Sequence, residues 1–208
     1  RATFCFWVMD LQPELAIASG LIKEKSITAK FFNILGDFII RKSDKLISLD
    51  RFMTGYLINR GALPNNISEI PVWPVSEGFY DGDRSENPFR IQNRYHDKFV
   101  IMFSGNHAHV HPLGTLLQAA MKLKDDQRFL FSFVGGGVRK EEVTSFRLRH
   151  QLSNIVQHEF QPRSSFHISI AASDMQVVVL GNGQVGFTHP NKVYGAMFLG
   201  KPILYIGP

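Results

Sequence analysis

Five short apolar runs, the first four each followed by a loop and then by a segment of helical spacing, decide the architecture of residues 98–208. They are FVIMFS at 99–104, FLFSFV at 129–134, IVQ at 155–157, QVVVL at 176–180 and PILY at 202–205. Runs of this length without polar alternation read as strands covered on both faces. Residues 113–123, 140–150, 164–172 and a short stretch after Asn191 have the length and spacing of crossover helices. Strand, helix and parallel strand then repeat with one hand. The expectation is an open parallel sheet of five strands that meets its ligands at the carboxyl ends of the strands.

The first 75 residues repeat the pattern on a smaller scale. Residues 4–9, FCFWVM, predict a strand covered on both faces, ending in Asp10-Leu11-Gln12-Pro13. Phe31, Phe32, Ile34, Leu35, Phe38 and Ile39 recur at helical spacing, which predicts a core-facing helix over 27–41. A strand at 45–49 follows, then a helix capped by Asp50 and closed by Gly61. A last strand at 68–72 ends in the turn Pro71-Val72-Trp73-Pro74-Val75. Residues 76–97 carry Gly78, Gly82 and Pro88 with little periodicity and read as a linker anchored by Phe79, Tyr80 and Phe89. The fold class expected is α/β, with two Rossmann-like domains. Residues 1–75 end an incomplete domain, 76–97 link, and 98–208 form a second domain truncated at its carboxyl end. A chain that opens in one core strand and stops just after another reads as a piece of a longer protein.

Charge narrows the function classes. The net charge is +5 and the isoelectric point about 9.4, but the cations are spread evenly. Residues 1–75 hold 9 Lys/Arg against 7 Asp/Glu, and 76–208 hold 14 against 11. With no basic run and no interleaving of Arg with aromatics, a nucleic-acid surface is not indicated. The single cysteine, Cys5, forms no intramolecular disulfide and fits a reducing, cytoplasmic compartment. No apolar run approaches the roughly 20 residues that span a bilayer. No Ser-His-Asp or Cys-His nucleophile arrangement stands out.

The residues that carry chemistry lie at expected strand ends. LGNGQVGFTHPNKVYGAMFLGKP, 180–202, leads from a strand through glycines into a helix, where free backbone N–H groups and the helix dipole favour an anion. Asn191 can cap that helix and Lys192 stands in its first turn as a phosphate-binding or simply solvated cation. Gly135, Gly136 and Gly137 are a flexible turn or room for a ligand across the strand ends. Asp10 caps the segment after it or faces a ligand, and Asp174 caps a strand entry.

His189-Pro190-Asn191-Lys192-Val193-Tyr194, continuing to Gly200-Lys201-Pro202, resembles the donor motif P-S-K-x-Y-E-x-x-A-x-G-K-P of GT-B-fold nucleotide-sugar glycosyltransferases. The likeness is greatest to retaining enzymes of bacterial surface polysaccharide synthesis. It is specific at this motif and weaker elsewhere. Two departures stand out: Gly195 replaces the Glu that binds the donor ribose, and the family's earlier acidic position falls near Phe187.

The resemblance implies a donor site of Gly105, Asn106, His111, Gly135, Gln161, Pro162, Thr188, His189, Asn191 and Lys192. Asn106 stands where the family has the Arg of a Gly-Arg pair, and His111 or Pro112 falls near its Lys. His107, His109 and His111 are open to three readings: a metal site, ordinary polar loop residues, or imidazoles bonding the diphosphate. The implied site includes no metal ligand. Asp10 and Gln12 become candidates at an acceptor-side strand end, with Asp10 the catalytic one. The nucleotide-sugar is a substrate, and no cofactor is implied. The partners implied are a nucleotide-sugar and a carbohydrate or lipid-linked acceptor, with peripheral contact at the inner membrane face and no nucleic acid. A degenerate module that binds a nucleotide without catalysis is the alternative. Residues 1–208 by themselves are expected to be inactive.

Overall fold

The computed structural model describes residues 2–73 and 78–208. The end of the Pro-Val-Trp-Pro-Val turn and the first residues of the expected linker, 74–77, lie outside the described residues. The chain groups into two units, Arg1–Val72 with Leu180–His189 and Pro208, and Trp73–Val179 with Pro190–Gly207. Both are built on parallel sheets.

The first unit runs β1 (Cys5–Trp7), α1 (Glu14–Ala18), α2 (Ile27–Lys42), β2 (Lys45–Ser48), α3 (Arg51–Asn59) and β3 (Ile67–Glu69), with sheet order β1-β2-β3. Local chemistry starts its helices. The Ser26 hydroxyl accepts from the Ala29 N–H at 3.1 Å, and the Asp50 carboxylate from the Met53 N–H at 2.8 Å. Gly61, at φ +96°, turns the chain out of α3. Val8, Leu11, Ile40, Leu46, Leu49, Met53 and Leu57 form the core.

Two expectations fail in this unit. β1 is not covered on both faces: Phe4, Cys5, Trp7 and Met9 are exposed and Val8 alone of the run is buried. Among the described residues β1 pairs with β2 on one side and stands at the edge of the sheet. α2 is not a simple core-facing helix either. Ala29 and Ile40 are its buried residues, while Phe31, Phe32, Ile34, Leu35 and Phe38 are exposed. Helical spacing correctly placed those side chains on one side, but it does not say which side meets the core.

The second unit follows the sequence pattern closely. Its elements are α4 (Pro88–Gln92), β4 (Phe99–Ser104), α5 (Gly114–Lys122), β5 (Phe129–Val134), α6 (Lys140–Arg149), β6 (Ile155–His158), α7 (Phe166–Ala171), β7 (Met175–Val179), α8 (Lys192–Phe198) and β8 (Ile203–Ile206). The sheet order is β6-β5-β4-β7-β8. The chain moves outward from β4 through β5 to β6, then returns to β7 on the other side of β4. The strand order therefore reverses between β4 and β7, the point where open α/β sheets form a ligand crevice. One face of the sheet buries Phe103, Phe131 and Phe133 with Leu113, Leu116, Leu117 and Val143. The other buries Val100, Met102, Leu130 and Val134 with Phe89, Tyr95 and Ala172.

Part of the stretch read as a linker belongs to that second face. The Asn87 side chain caps α4, accepting from the N–H groups of Phe89 and Arg90. Arg90, 2% exposed, donates to the carbonyls of Ala172, His96 and Lys98 and pairs with Asp174 at 3.1 Å. Asp174 does more than cap a strand. It also pairs with Arg84 and accepts from the Val100 N–H at 2.7 Å. Burial alone would raise its carboxyl pKa, but Arg84, the Val100 N–H and Arg90 together hold it below its usual value.

Candidate donor site

At the reversal of the second sheet, three strand ends bring their loops together. Gly105 follows β4 with φ +119°, and Gly135 follows β5 with φ +124°. A Cβ on Gly135 would fall on the Gly105 carbonyl, and the Phe160 ring lies 3.2 Å from where Cβ atoms would sit on Gly135 and Gly136. The backbones of the two loops can therefore approach only because position 135 is glycine, whereas a Cβ on Gly105 would meet the Lys192 side chain at 2.8 Å. His107 N–H donates to the Gly136 carbonyl at 2.7 Å, and the Arg139 N–H donates to the His107 carbonyl at 2.9 Å, tying these loops to the start of α6.

Lys192 enters this assembly from α8. Its ammonium lies 3.8 Å from the centroid of the Phe103 ring and 3.4 Å from the Asn106 carbonyl oxygen. The half-buried stem loses hydration, and burial lowers the pKa to about 7. Asn191 precedes the helix but makes no capping bond with its side chain, because it has already taken helical backbone angles. The capping expectation is therefore corrected, and this one polar cation is the feature that α8 brings to the strand ends.

The histidines separate. His107 is buried against Phe103 and Phe133, with burial lowering its pKa. His111 Nδ1 donates to the Val179 carbonyl at the end of β7 across 2.6 Å. Burial first, and the nearby Lys192 charge second, lower the His111 pKa to about 4. The ring is neutral at pH 6–8, so Nδ1 carries the proton and Nε2 the lone pair. An imidazolium facing a diphosphate, one of the readings of the loop, does not fit this environment. His109 is exposed. Among the described residues no group of His, Cys, Asp and Glu is placed to hold a metal ion.

Gln161 and Pro162 follow β6. The Gln161 amide donates to the Glu159 carbonyl at 3.0 Å, and Pro162 is exposed. Phe160 and Phe103 were missed from sequence, where each reads as a core aromatic. Only the position of Phe103 next to a strand end, and of Phe160 directly before Gln161-Pro162, could have singled them out.

The remaining candidates belong to the first unit. Leu180–His189 packs there. Thr188 Oγ1 donates to the Asp10 carboxylate at 2.6 Å, and His189 Nδ1 meets Asp50 at 2.8 Å. Phe187 stacks edge-on against Tyr56 with ring centroids 5.0 Å apart. The N–H groups of Phe187 and Thr188, expected to face an anion, instead donate to the Gln184 carbonyl at 3.1 and 3.4 Å. Gln12 is exposed.

Comparison with known proteins bears on this arrangement. No family model matches the chain. The Pseudomonas aeruginosa protein named "Probable glycosyltransferase WbjE" is 26% identical over 203 residues, 96% of this chain and 50% of its own length. Anabaena Alr3699/HepE, solved in complex with UDP-glucose, matches with a TM-score of 0.76 at 13% identity, over 100% of this chain and 54% of that one. The fold is that of the GT-B glycosyltransferases. A second GT-B structure, WaaG, a glycosyltransferase involved in lipopolysaccharide biosynthesis, gives a TM-score of 0.73 at 15% identity over 97% of this chain and 55% of its own. The chain thus spans half the length of WbjE and about half of each GT-B structure.

Proposed function

We propose that this chain belongs to a glycosyltransferase that moves a sugar from a nucleotide-sugar to a polysaccharide or lipid-linked acceptor in surface polysaccharide synthesis. The observation that carries the reading is the meeting of Lys192, Asn106, Gly105 and Gly135 at the reversal of the second sheet. The UDP-glucose of HepE, on the same fold, supports a nucleotide-sugar as the ligand class.

In this reading the diphosphate lies beside Lys192 over the β4 and β5 loops, where glycines allow backbone approach. As the bond from sugar to phosphate breaks, charge grows on the leaving diphosphate, and a fixed ammonium in a partly dehydrated site offsets it. Phe160, Gln161 and Pro162 border the base, and Asn191 stands beside Lys192 toward the sugar. Asp10 orients the acceptor hydroxyl. No cofactor or metal has a role in this scheme. The setting is cytoplasmic, with peripheral contact at the inner membrane face. No helix among the described residues is long and apolar enough to cross a membrane.

The test is release of nucleoside diphosphate from a panel of UDP- and GDP-sugars by the full-length protein, with a lipid extract as acceptor. Release that depends on the extract and is lost in Lys192→Ala is expected. Nucleotide binding without release from any donor would favour a binding module instead.

A further inference from the structure

A diphosphate carries more negative charge than the Lys192 ammonium offsets alone, and burial takes that lysine down to a pKa of about 7. The loop that carries Gly105 and Asn106 adds no cation, since residues 105–112 contain neither Lys nor Arg. Burial keeps His107 and His111 neutral. Any further positive charge must come from another element. Two candidates stand at the start of α6, Arg139 and Lys140.

Arg139 is built against the loop. Its backbone N–H donates to the His107 carbonyl at 2.9 Å. A Cβ on Gly137, two residues earlier, would strike Asn106 Oδ1 and come within 2.9 Å of that same carbonyl. The segment therefore lies directly on the Asn106-His107 turn. A guanidinium has five N–H donors. Among the described residues this one makes a single side-chain bond, from Nη1 to Glu142 Oε2 at 2.6 Å, and its Nε is buried without an acceptor. A buried donor left unpaired is costly, and such atoms gather where a ligand supplies the missing partner. The side chain is 28% exposed, so an anion can still reach the group. Its charge also reaches His111, whose ring it helps keep neutral. Lys140 differs: its ammonium pairs with Glu159, a carboxylate 79% exposed, on the outer side of the helix start.

We propose that Arg139 is a second diphosphate-binding cation of this site, reaching the phosphates from the start of α6 while Lys192 reaches them from α8. The assignment rests on the diphosphate reading of the site and adds a residue to it. The two cations differ in kind. A planar guanidinium bonds two phosphate oxygens at once and keeps its charge at pH values where a buried lysine loses its own. Charge growing on the leaving diphosphate is therefore offset even when the Lys192 ammonium is partly deprotonated.

Calorimetry of the full-length protein with UDP, inorganic pyrophosphate and uridine tests it. Arg139→Gln should weaken UDP and pyrophosphate at least about tenfold and leave uridine within about twofold. Arg139→Lys, which keeps the charge and loses the fork, should fall between the parent and Arg139→Gln. Glu142→Gln removes the ion pair and keeps the cation, so its UDP affinity should equal or exceed the parent's. Unchanged UDP affinity in folded Arg139→Gln, or an equal loss for uridine, would overturn the assignment. So would a loss in Glu142→Gln as large as in Arg139→Gln, because the pair and not the cation would then matter. If thermal unfolding shows Arg139→Gln to be misfolded, a UDP loss in Arg139→Lys with none in Glu142→Gln supports the assignment, and no loss in Arg139→Lys overturns it. UDP binding that is lost in Lys192→Ala but kept in folded Arg139→Gln would remove Arg139 alone, and the reverse would remove only the Lys192 contact. A parent that binds neither UDP nor pyrophosphate would remove both.

Discussion

The Lys192 ammonium sits 3.8 Å from the centroid of the Phe103 ring, at the end of the strand whose loop supplies Gly105 and Asn106. The ring face offsets part of the lost hydration, yet burial still lowers the lysine pKa to about 7. A bound diphosphate favours the ammonium and raises that value. Affinity for UDP should therefore be greatest below about pH 7 and fall as pH rises toward the bound-state value, by up to about tenfold per unit. Lys192→Arg, charged throughout this range, should flatten the profile. Fluorescence or calorimetric titration from pH 6.5 to 9 checks this, and a flat parent profile would contradict it.

His111 gives a contrasting expectation. With its pKa lowered to about 4 and Nδ1 committed to the Val179 carbonyl, it gains no charge between pH 8 and 6. His111→Gln should leave the slope of the UDP profile unchanged. A slope that disappears in this variant would return the imidazolium to the diphosphate.

Gly135 and Gly114 form a controlled pair. A Cβ on Gly135 would fall on the Gly105 carbonyl at a backbone angle of φ +124°, whereas one on Gly114 meets nothing within 4 Å. Gly135→Ala should cost at least about 2 kcal/mol and weaken nucleotide binding. Gly114→Ala, in the first turn of α5, should stabilise by about 0.4–1 kcal/mol. Urea unfolding separates the two, and equal midpoints would contradict the close approach of the loops.

Asp174 answers two arginines, one of them Arg90 at 2% exposure. Asp174→Asn strands that buried charge and should cost about 3–5 kcal/mol at pH 7. The folded-state pKa is lowered, so the carboxylate contributes its stability above the unfolded value of about 3.9 and loses it as pH falls through the folded one. The gap between parent and variant should therefore narrow below about pH 4. Unfolding curves at pH 7 and pH 3.5 show whether it does.

Burial on both faces made the second sheet easy to read. Phe99–Ser104 and Phe129–Val134 begin and end where their apolar runs do, because a central parallel strand needs no polar side. α2 misled for the opposite reason: its apolar stripe is real but meets no core among the described residues. At the candidate site Lys192, Gly105 and Gly135 were legible as a cation and glycines at strand ends. Phe103 and Phe160 were not, since nothing in their spacing separates a ring beneath a ligand loop from any other core aromatic. The bonds from Thr188 to Asp10 and from His189 to Asp50 join positions more than 130 apart, and local pattern carries no such information.

The central claim is that Lys192 and the β4 and β5 loops hold a diphosphate. Calorimetry of UDP and uridine on the parent and on Lys192→Ala tests it most directly. Loss of a charge-assisted contact should weaken UDP by about 1.5–3 kcal/mol while leaving uridine within about 0.5 kcal/mol. Equal losses for both ligands, or no loss for UDP, would contradict it.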